Sequence, residues 1–191
     1  MDITYTIELF SYWHCGSGLS AGADVDSLVI KDAKGMPFVP GKTIKGLIRE
    51  AAETLICLAP GRYPSQEIID VIFGKRSETA EIPQIGKAFF SNAEFPATDY
   101  DAIINANAQN YLFEAVASTA IGDNGIAVNH SLRKTQVTLP CTLEGQILNI
   151  PEEDDKTKKL FEDSLSFIKR IGENRNRGLG RCKFTIKSIR L

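Results

Sequence analysis

Apolar and polar residues alternate from Ile3 to Phe10, in Ile-Thr-Tyr-Thr-Ile-Glu-Leu-Phe, which is the period of a half-buried strand. Gly16, Gly18 and Gly22 break the alternation, so residues 15–27 read as a glycine-rich loop carrying two acids, Asp24 and Asp26. Leu28-Val-Ile30 predicts a short strand and Lys34-Gly35 a turn. After Pro40-Gly41 the period changes to that of a helix over residues 42–58, with Ile44, Leu47, Ile48, Ala51, Leu55 and Leu58 on its apolar side. Pro60-Gly61 ends it, and a short helix is expected from Ile68 to Phe73.

Residues 75–85 read as a polar loop and Lys87 to Glu94 as a strand. Asp101 to Ala117 has helical composition, followed by a loop at Gly122-Asp-Asn-Gly125. Val137 to Ile150 alternates as one strand interrupted at Pro140. Thr157 to Ile171 is an amphipathic helix through Leu160, Phe161, Leu165, Ile168 and Ile171, and Lys183 to Leu191 is the last strand. This order predicts an α+β domain over residues 1–191, a ferredoxin-like βαββαβ sandwich of the kind RNA-recognition domains share. The fold hosts many functions, and Gly178-Leu-Gly-Arg-Cys-Lys-Phe184 holds a single aromatic where an RNA-recognition strand would stack several bases.

Composition narrows the class. With 191 residues, 43% hydrophobic and 24% charged, the chain can build a core without staples. Cysteines 15, 57, 141 and 182 have neither zinc-ligand nor disulfide spacing, and scattered free thiols suit a reducing, cytoplasmic compartment. Cys57 is expected to pack in a helix and Cys182 in a strand. Met1-Asp-Ile-Thr-Tyr opens directly as a strand rather than a signal peptide, and no apolar run approaches the ~20 residues a membrane helix needs. The net charge of −2 argues against nonspecific nucleic-acid binding, yet its distribution is uneven. Lys169 to Arg190 holds eight Lys or Arg and one acid, Glu173, while acids gather at Glu152-Glu-Asp-Asp155. Such a basic face is an electrostatic footprint for nucleic acid or, more plainly, a solvated surface.

Two segments carry the chemistry. The run Asp26-Ser-Leu-Val-Ile-Lys-Asp32 followed by Pro37-Phe-Val-Pro-Gly-Lys-Thr-Ile-Lys-Gly-Leu-Ile-Arg49 puts an acidic loop ahead of a basic helix start. Lys42, Lys45 and Arg49 lie within two turns and share one stripe of the helix. Gly172-Glu-Asn-Arg-Asn-Arg-Gly-Leu-Gly-Arg-Cys-Lys-Phe184 sets Arg175, Arg177 and Arg181 among glycines that let amides approach a phosphate. Gly41-Lys42-Thr43 mimics the end of a nucleotide P-loop, but Met36 stands where the first glycine is required and two prolines precede the lysine.

These segments, with a weaker match at Phe73-Gly-Lys and Gly86-Lys-Ala-Phe-Phe-Ser-Asn-Ala93, resemble the RAMP superfamily of CRISPR systems, above all the repeated backbone subunit of type III effector complexes. The matches follow the family order across almost the whole chain. The resemblance implies a subunit that binds guide (CRISPR) RNA, assembles with copies of itself and other subunits, and cleaves guide-paired target RNA with a divalent cation, Mg²⁺ or Mn²⁺, away from any membrane. Asp26 matches the aspartate that cuts, as catalytic group and metal ligand, with Asp24 as a spare; Asp32 reads as a turn former. His14, Lys42, Lys45, Arg49, Arg175, Arg177 and Arg181 would hold RNA. A thumb-like insertion is implied over residues 120–136, with Ile126 and Val128 as wedge residues; an ordinary buried loop is the plain alternative. Two other functions stand beside cleavage: a non-catalytic scaffold or capping subunit, and a nuclease that processes repeat RNA without metal through His14.

Overall fold

The computed structural model describes residues 1–22, 24–75, 84–151 and 154–190. The elements follow in order as β1 (Asp2–Leu9), α1 (Gly41–Leu58), α2 (Gln66–Phe73), β2 (Phe89–Phe90), α3 (Ala97–Asn105), β3 (Phe113–Ser118), β4 (Arg133–Thr138), β5 (Thr142–Leu148), α4 (Asp155–Phe167) and β6 (Cys182–Arg190). Four strands form an antiparallel sheet in the order β2-β5-β1-β6, and β3 pairs β4 in a separate two-stranded sheet. With α3, β3 and β4 set aside as an insertion, the remainder is βαββαβ with the first strand between the third and fourth. That is the ferredoxin-like arrangement.

Alternation places Ile3, Tyr5, Ile7 and Leu9 of β1, Leu143 and Ile147 of β5, and Phe184 of β6 on one face, where they form a single cluster with Ile44, Ile48, Ala51 and Ala52 of α1 and Leu160, Phe161 and Leu165 of α4. Each fully buried isoleucine or leucine there contributes about 1.5–3 kcal/mol. Phe73, at the end of α2, stacks on both Phe90 and Phe161, at 5.4 and 6.1 Å between ring centres, and ties the sheet edge to α4. β6 slips one residue against β1 between Thr4 and Tyr5, and Ile186 and Ile189 on either side of the slip both reach the core. The open face is polar, with Thr6, Glu8, Lys183 and Thr185 on it and Lys187 paired to Glu144. Phe89 of β2, beside Leu148 of β5, is an apolar exception there, with its ring 56% exposed.

Several elements differ from the expectation. Leu28–Ile30 makes no strand but a run of single bridges, including Ser27 to Thr135 and Gly16 to Val29. Lys87–Glu94 reduces to the two residues of β2. The helix expected over 101–117 begins earlier and stops at Asn105; Asn107 turns left-handed at φ 52°, and the chain re-emerges as β3. The single strand expected over 137–150 is two strands, β4 and β5, in different sheets, with Pro140 at the break. α4 ends at Phe167 rather than Ile171. Cys57 is exposed on α1, whereas Cys182 is buried in β6. Most of the loop expected over 75–85, half of the Glu152–Asp155 cluster and Leu191 lie outside the described residues. No helix among the described residues is long and apolar enough to cross a membrane.

Candidate functional site

Three loops meet on the side where β1 ends. The first, residues 10–17, runs out of β1. The second is the loop from Asp24 to Ile30. The third, residues 172–181, links α4 to β6. The third is stitched to the first: Phe10 donates to the Arg181 carbonyl at 2.8 Å, Gly180 to the Tyr12 carbonyl at 2.7 Å, and Glu173 to the His14 carbonyl at 2.8 Å. Gly172, at φ +79°, lies so close against the His14 carbonyl that a side chain there would collide with it. Gly180, at φ +69°, does the same against Ile171. The loop closes at its neck, and its tip, a short 3-10 turn at Arg175–Arg177, carries both arginines into solvent.

His14 stands at the meeting point and is fully buried at 0% exposure. Its Nδ1 lies 2.6 Å from the main-chain carbonyl of Gln136, which only accepts, so Nδ1 carries the proton. Nε2 then accepts from the Ser27 hydroxyl at 3.1 Å, with Glu173 Oε2 3.9 Å away. The expectation that His14 touches RNA is therefore corrected: both ring nitrogens are engaged inside the protein. The imidazole joins the end of β1, the Asp24–Ile30 loop and β4.

Gln136 completes that joint, and sequence reasoning missed it. Its amide donates to the Ser27 carbonyl at 3.0 Å, its carbonyl accepts from His14, and its side-chain Oε1 accepts from the Val29 amide at 3.3 Å. Two positions earlier along β4, Asp26 is fastened in the same way. Its amide donates to the Lys134 carbonyl at 2.9 Å and its Oδ2 accepts from the Lys134 amide at 2.7 Å. The Asp26 side chain remains exposed. Asp24 is exposed too, but its amide reaches only the local Ala21 carbonyl at 3.3 Å. Among the described residues no group of three His, Cys, Asp or Glu could hold a metal ion. The described side chains thus do not fit an ion caged by protein alone, and the exposed Asp26 carboxylate could hold a hydrated divalent cation only as one ligand among waters.

The β3–β4 hairpin rises from this joint. Its base is clamped by Trp13, which exchanges main-chain bonds with Thr138 and donates its indole N–H to the Leu139 carbonyl at 3.1 Å. Tyr12 donates to Glu114 at 2.8 Å, and the Lys31 ammonium sits 3.9 Å from the centre of the Phe113 ring, where burial lowers its pKa. Toward the tip nothing covers the apolar residues: Ile126 is 66% and Val128 49% exposed. They do not form a buried loop.

α1 begins beside the third loop. Pro40 occupies the N-cap position with no side-chain cap, the first turn holds no acid, and Asn92 accepts from the Gly41 amide at 3.0 Å. The positive end of the helix dipole and Lys42 therefore point the same way. Lys42 and Gly172 line one cavity of about 230 Å³ together with His14, so helix start and glycine loop are neighbours. Lys45 is half-buried and Arg181 exposed. Arg49 corrects the expectation. It does lie on the stripe below Lys42, but α2 crosses the helix there. Its guanidinium donates to Glu53 at 2.7 Å, to the Gly74 carbonyl at 2.8 Å and to Asp70 at 3.4 Å, and the residue is 9% exposed. Asp32 is a turn former as expected: it accepts from the Lys34 and Met36 amides and from Tyr100 at 2.6 Å.

A family profile described as the RAMP superfamily matches residues 6–183. The fold is similar to a chain in the cryo-EM structure of type III-B Cmr-beta bound to cognate target RNA, at 10% identity over 97% of both chains with a TM-score of 0.69. It is equally similar to a chain in the apo state of Cmr-beta, at 11% identity over 98% of both chains with a TM-score of 0.68. No curated protein matches it in sequence. A family match across nearly the whole length, on a ferredoxin-like core whose motif loops converge at one end, shows that this chain belongs to the RAMP superfamily.

Proposed function

We propose that the chain is a backbone subunit of a type III CRISPR effector complex, binding guide RNA in series with copies of itself and cleaving the guide-paired target RNA at Asp26. The observation that carries this reading is the fastening of an exposed carboxylate to the base of an apolar-tipped hairpin. A wedge that parts stacked bases and an acid that acts on the freed phosphodiester must keep a fixed separation, and the paired bonds to Lys134 supply one.

Lys42, Lys45, Arg175, Arg177 and Arg181 hold guide phosphates, which fix register without reading sequence. In cleavage the 2′-oxygen of the target attacks the adjacent phosphorus, the bond to the 5′-oxygen breaks, and the 2′-proton leaves to solvent as the 5′-oxygen gains one. Asp26 orients the 2′-hydroxyl through the oxygen not bound to Lys134. A Mg²⁺ or Mn²⁺ held there would neutralise charge developing on the phosphate.

A scaffold without catalysis is the second reading, favoured by two facts: one Asp26 oxygen already accepts from Lys134, and no group of three metal-ligating side chains is assembled among the described residues. Metal-independent cleavage through His14 is disfavoured by its burial and by its two engaged nitrogens. The deciding experiment is reconstitution with a guide and a labelled complementary target. Mg²⁺-dependent cuts within the paired region support cleavage. Stable, uncut duplex in Mg²⁺ supports the scaffold, and cutting that survives EDTA returns the case to His14.

A further inference from the structure

One groove is left over by the phosphate track. It holds about 390 Å³ between the middle of α1 and the end of α4, beside the third loop. Leu47 and Ala51 of α1 and Ile168 make its apolar side, and Arg170 and Arg175 make its rim. Phe167 also lines it and is 48% exposed, although the inward face of α4 runs through Leu160, Phe161 and Leu165. An aromatic ring thus stands off the buried face of its helix, over an apolar floor. Arg170 is held in place, since its guanidinium donates to the Arg175 carbonyl at 2.5 Å.

A groove with an apolar side, an exposed ring and the cations Arg170 and Arg175 in its lining matches a nucleobase carrying its own phosphate. An acidic protein segment would need main-chain partners along the groove, whereas a base needs only a ring face to stack on. We infer that this groove is a nucleotide subsite: one base of the bound RNA strand stacks on Phe167 against Leu47 and Ala51, and its phosphate meets Arg170 and Arg175. Glu50, on the same wall, offers an acceptor to a base amino group. The inference rests on the RNA-binding reading and adds base contact to it, because Arg175 belongs to both the groove and the phosphate track.

The test compares two fluorescent strands of equal length, oligoadenylate RNA and the same backbone without bases, titrated with the full chain. Wild type should prefer the base-bearing strand by about tenfold. Phe167→Ser should bring that strand down to the level of the abasic one, whose own affinity stays unchanged and so reports an intact fold. Phe167→Trp should keep the preference. Arg170→Gln should weaken both strands. Wild type binding both strands equally, or Phe167→Ser keeping the preference, overturns the subsite while RNA binding stands. Binding of neither strand removes both readings. Free AMP should not displace the strand, lacking the neighbouring phosphates that reach Lys42 and Arg177; displacement at micromolar AMP would overturn the assignment to a strand.

Discussion

Asp26 and Lys134 exchange a closed pair of bonds: the Asp26 amide gives to the Lys134 carbonyl at 2.9 Å, and the Lys134 amide gives back to the Asp26 carboxylate at 2.7 Å. They are 108 residues apart in sequence, so the loop that carries the acid and the strand that carries the hairpin have no local reason to meet. Ser27 and Val29 continue the contact onto Gln136, and the Asp24–Ile30 loop behaves as a third, broken strand along β4.

This double role makes Asp26→Ala ambiguous and Asp26→Asn informative. The asparagine keeps an oxygen for the Lys134 amide and loses only the charge. Both substitutions should lower cleavage of guide-paired RNA by about a hundredfold or more. Only alanine should also loosen the base of the hairpin, read as faster hydrogen exchange at the Lys134 amide. Asparagine cutting at the wild-type rate would take Asp26 out of catalysis and leave it a structural fastener. Asp24→Ala, without that fastening, should change neither readout.

Arg49 should matter to stability and not to RNA. Removing its side chain leaves the Gly74 carbonyl and Asp70 without their donor. A fully buried pair broken in this way costs about 3–5 kcal/mol, but here both acids are partly solvated, so about 2 kcal/mol is expected. For a chain of this size that lowers Tm by roughly 5 °C. Arg49→Ala should therefore unfold earlier in calorimetry while the folded protein binds guide RNA as wild type does. Arg49→Lys recovers only part, because an ammonium cannot reproduce the planar fork. Loss of RNA affinity at unchanged Tm would restore Arg49 to the interface.

How far each feature could be read beforehand follows from the range of the forces that set it. β1, α1, α4 and β6 announce themselves through their own periodicity, because each buries one face against the same core. Residues 113–118 could not be read so. Phe-Glu-Ala-Val-Ala-Ser has the alanines of a helix, and pairing with β4, some twenty residues on, makes it a strand. Asp26, Lys42 and Arg175 could be picked out as exposed chemistry on loops and a helix start. Gln136 could not: its partners His14 and Val29 lie 122 and 107 residues away, and a glutamine in a strand carries no mark of its contacts. Arg49 was misplaced because a helical wheel shows the stripe but not the neighbouring helix that covers it.

The Asp32–Tyr100 bond links the turn after the Asp24–Ile30 loop to α3 and gives the molecule one predictable pH response. Burial pushes the Asp32 carboxyl up, but bonds from Tyr100 and from the Met36, Lys34 and Gly35 amides together outweigh it and leave it below its ordinary value. A lowered acid stabilises the fold above its unfolded pKa and ceases to do so as pH falls through the folded one. The stabilisation should therefore fade below about pH 4, and Asp32→Asn should flatten the acid limb of a Tm–pH curve. Tyr100 is raised to about 12, first by its bond to Asp32, so tyrosinate absorbance from this ring should be missing near pH 10 and present in Asp32→Asn. An acid limb unchanged in Asp32→Asn would show that other carboxylates govern it.

The convergence of helix start and glycine loop sets the last expectation. Lys42 and Gly172 share one cavity, and Arg177 stands on the tip of the loop that Gly172 begins. One strand of RNA can then run from the α1 N-terminus across the loop, with phosphates meeting both. Phosphate contacts release counterions, and each one lost flattens the slope of log K against log salt by about 0.7 for a single strand. Lys42→Glu with Arg177→Glu should weaken guide binding by a similar factor for every sequence and flatten that slope by about 1.4. Neither residue is buried, and a glutamate in the first turn of α1 suits the helix dipole, so Tm should not fall. The pair Lys158→Glu with Arg190→Glu, near the start of α4 and at the end of β6, removes equal charge away from the proposed track and is the control. Equal effects from the two pairs would mean that RNA responds to net charge alone, and the continuous track from Lys42 to Arg177 would have to be given up.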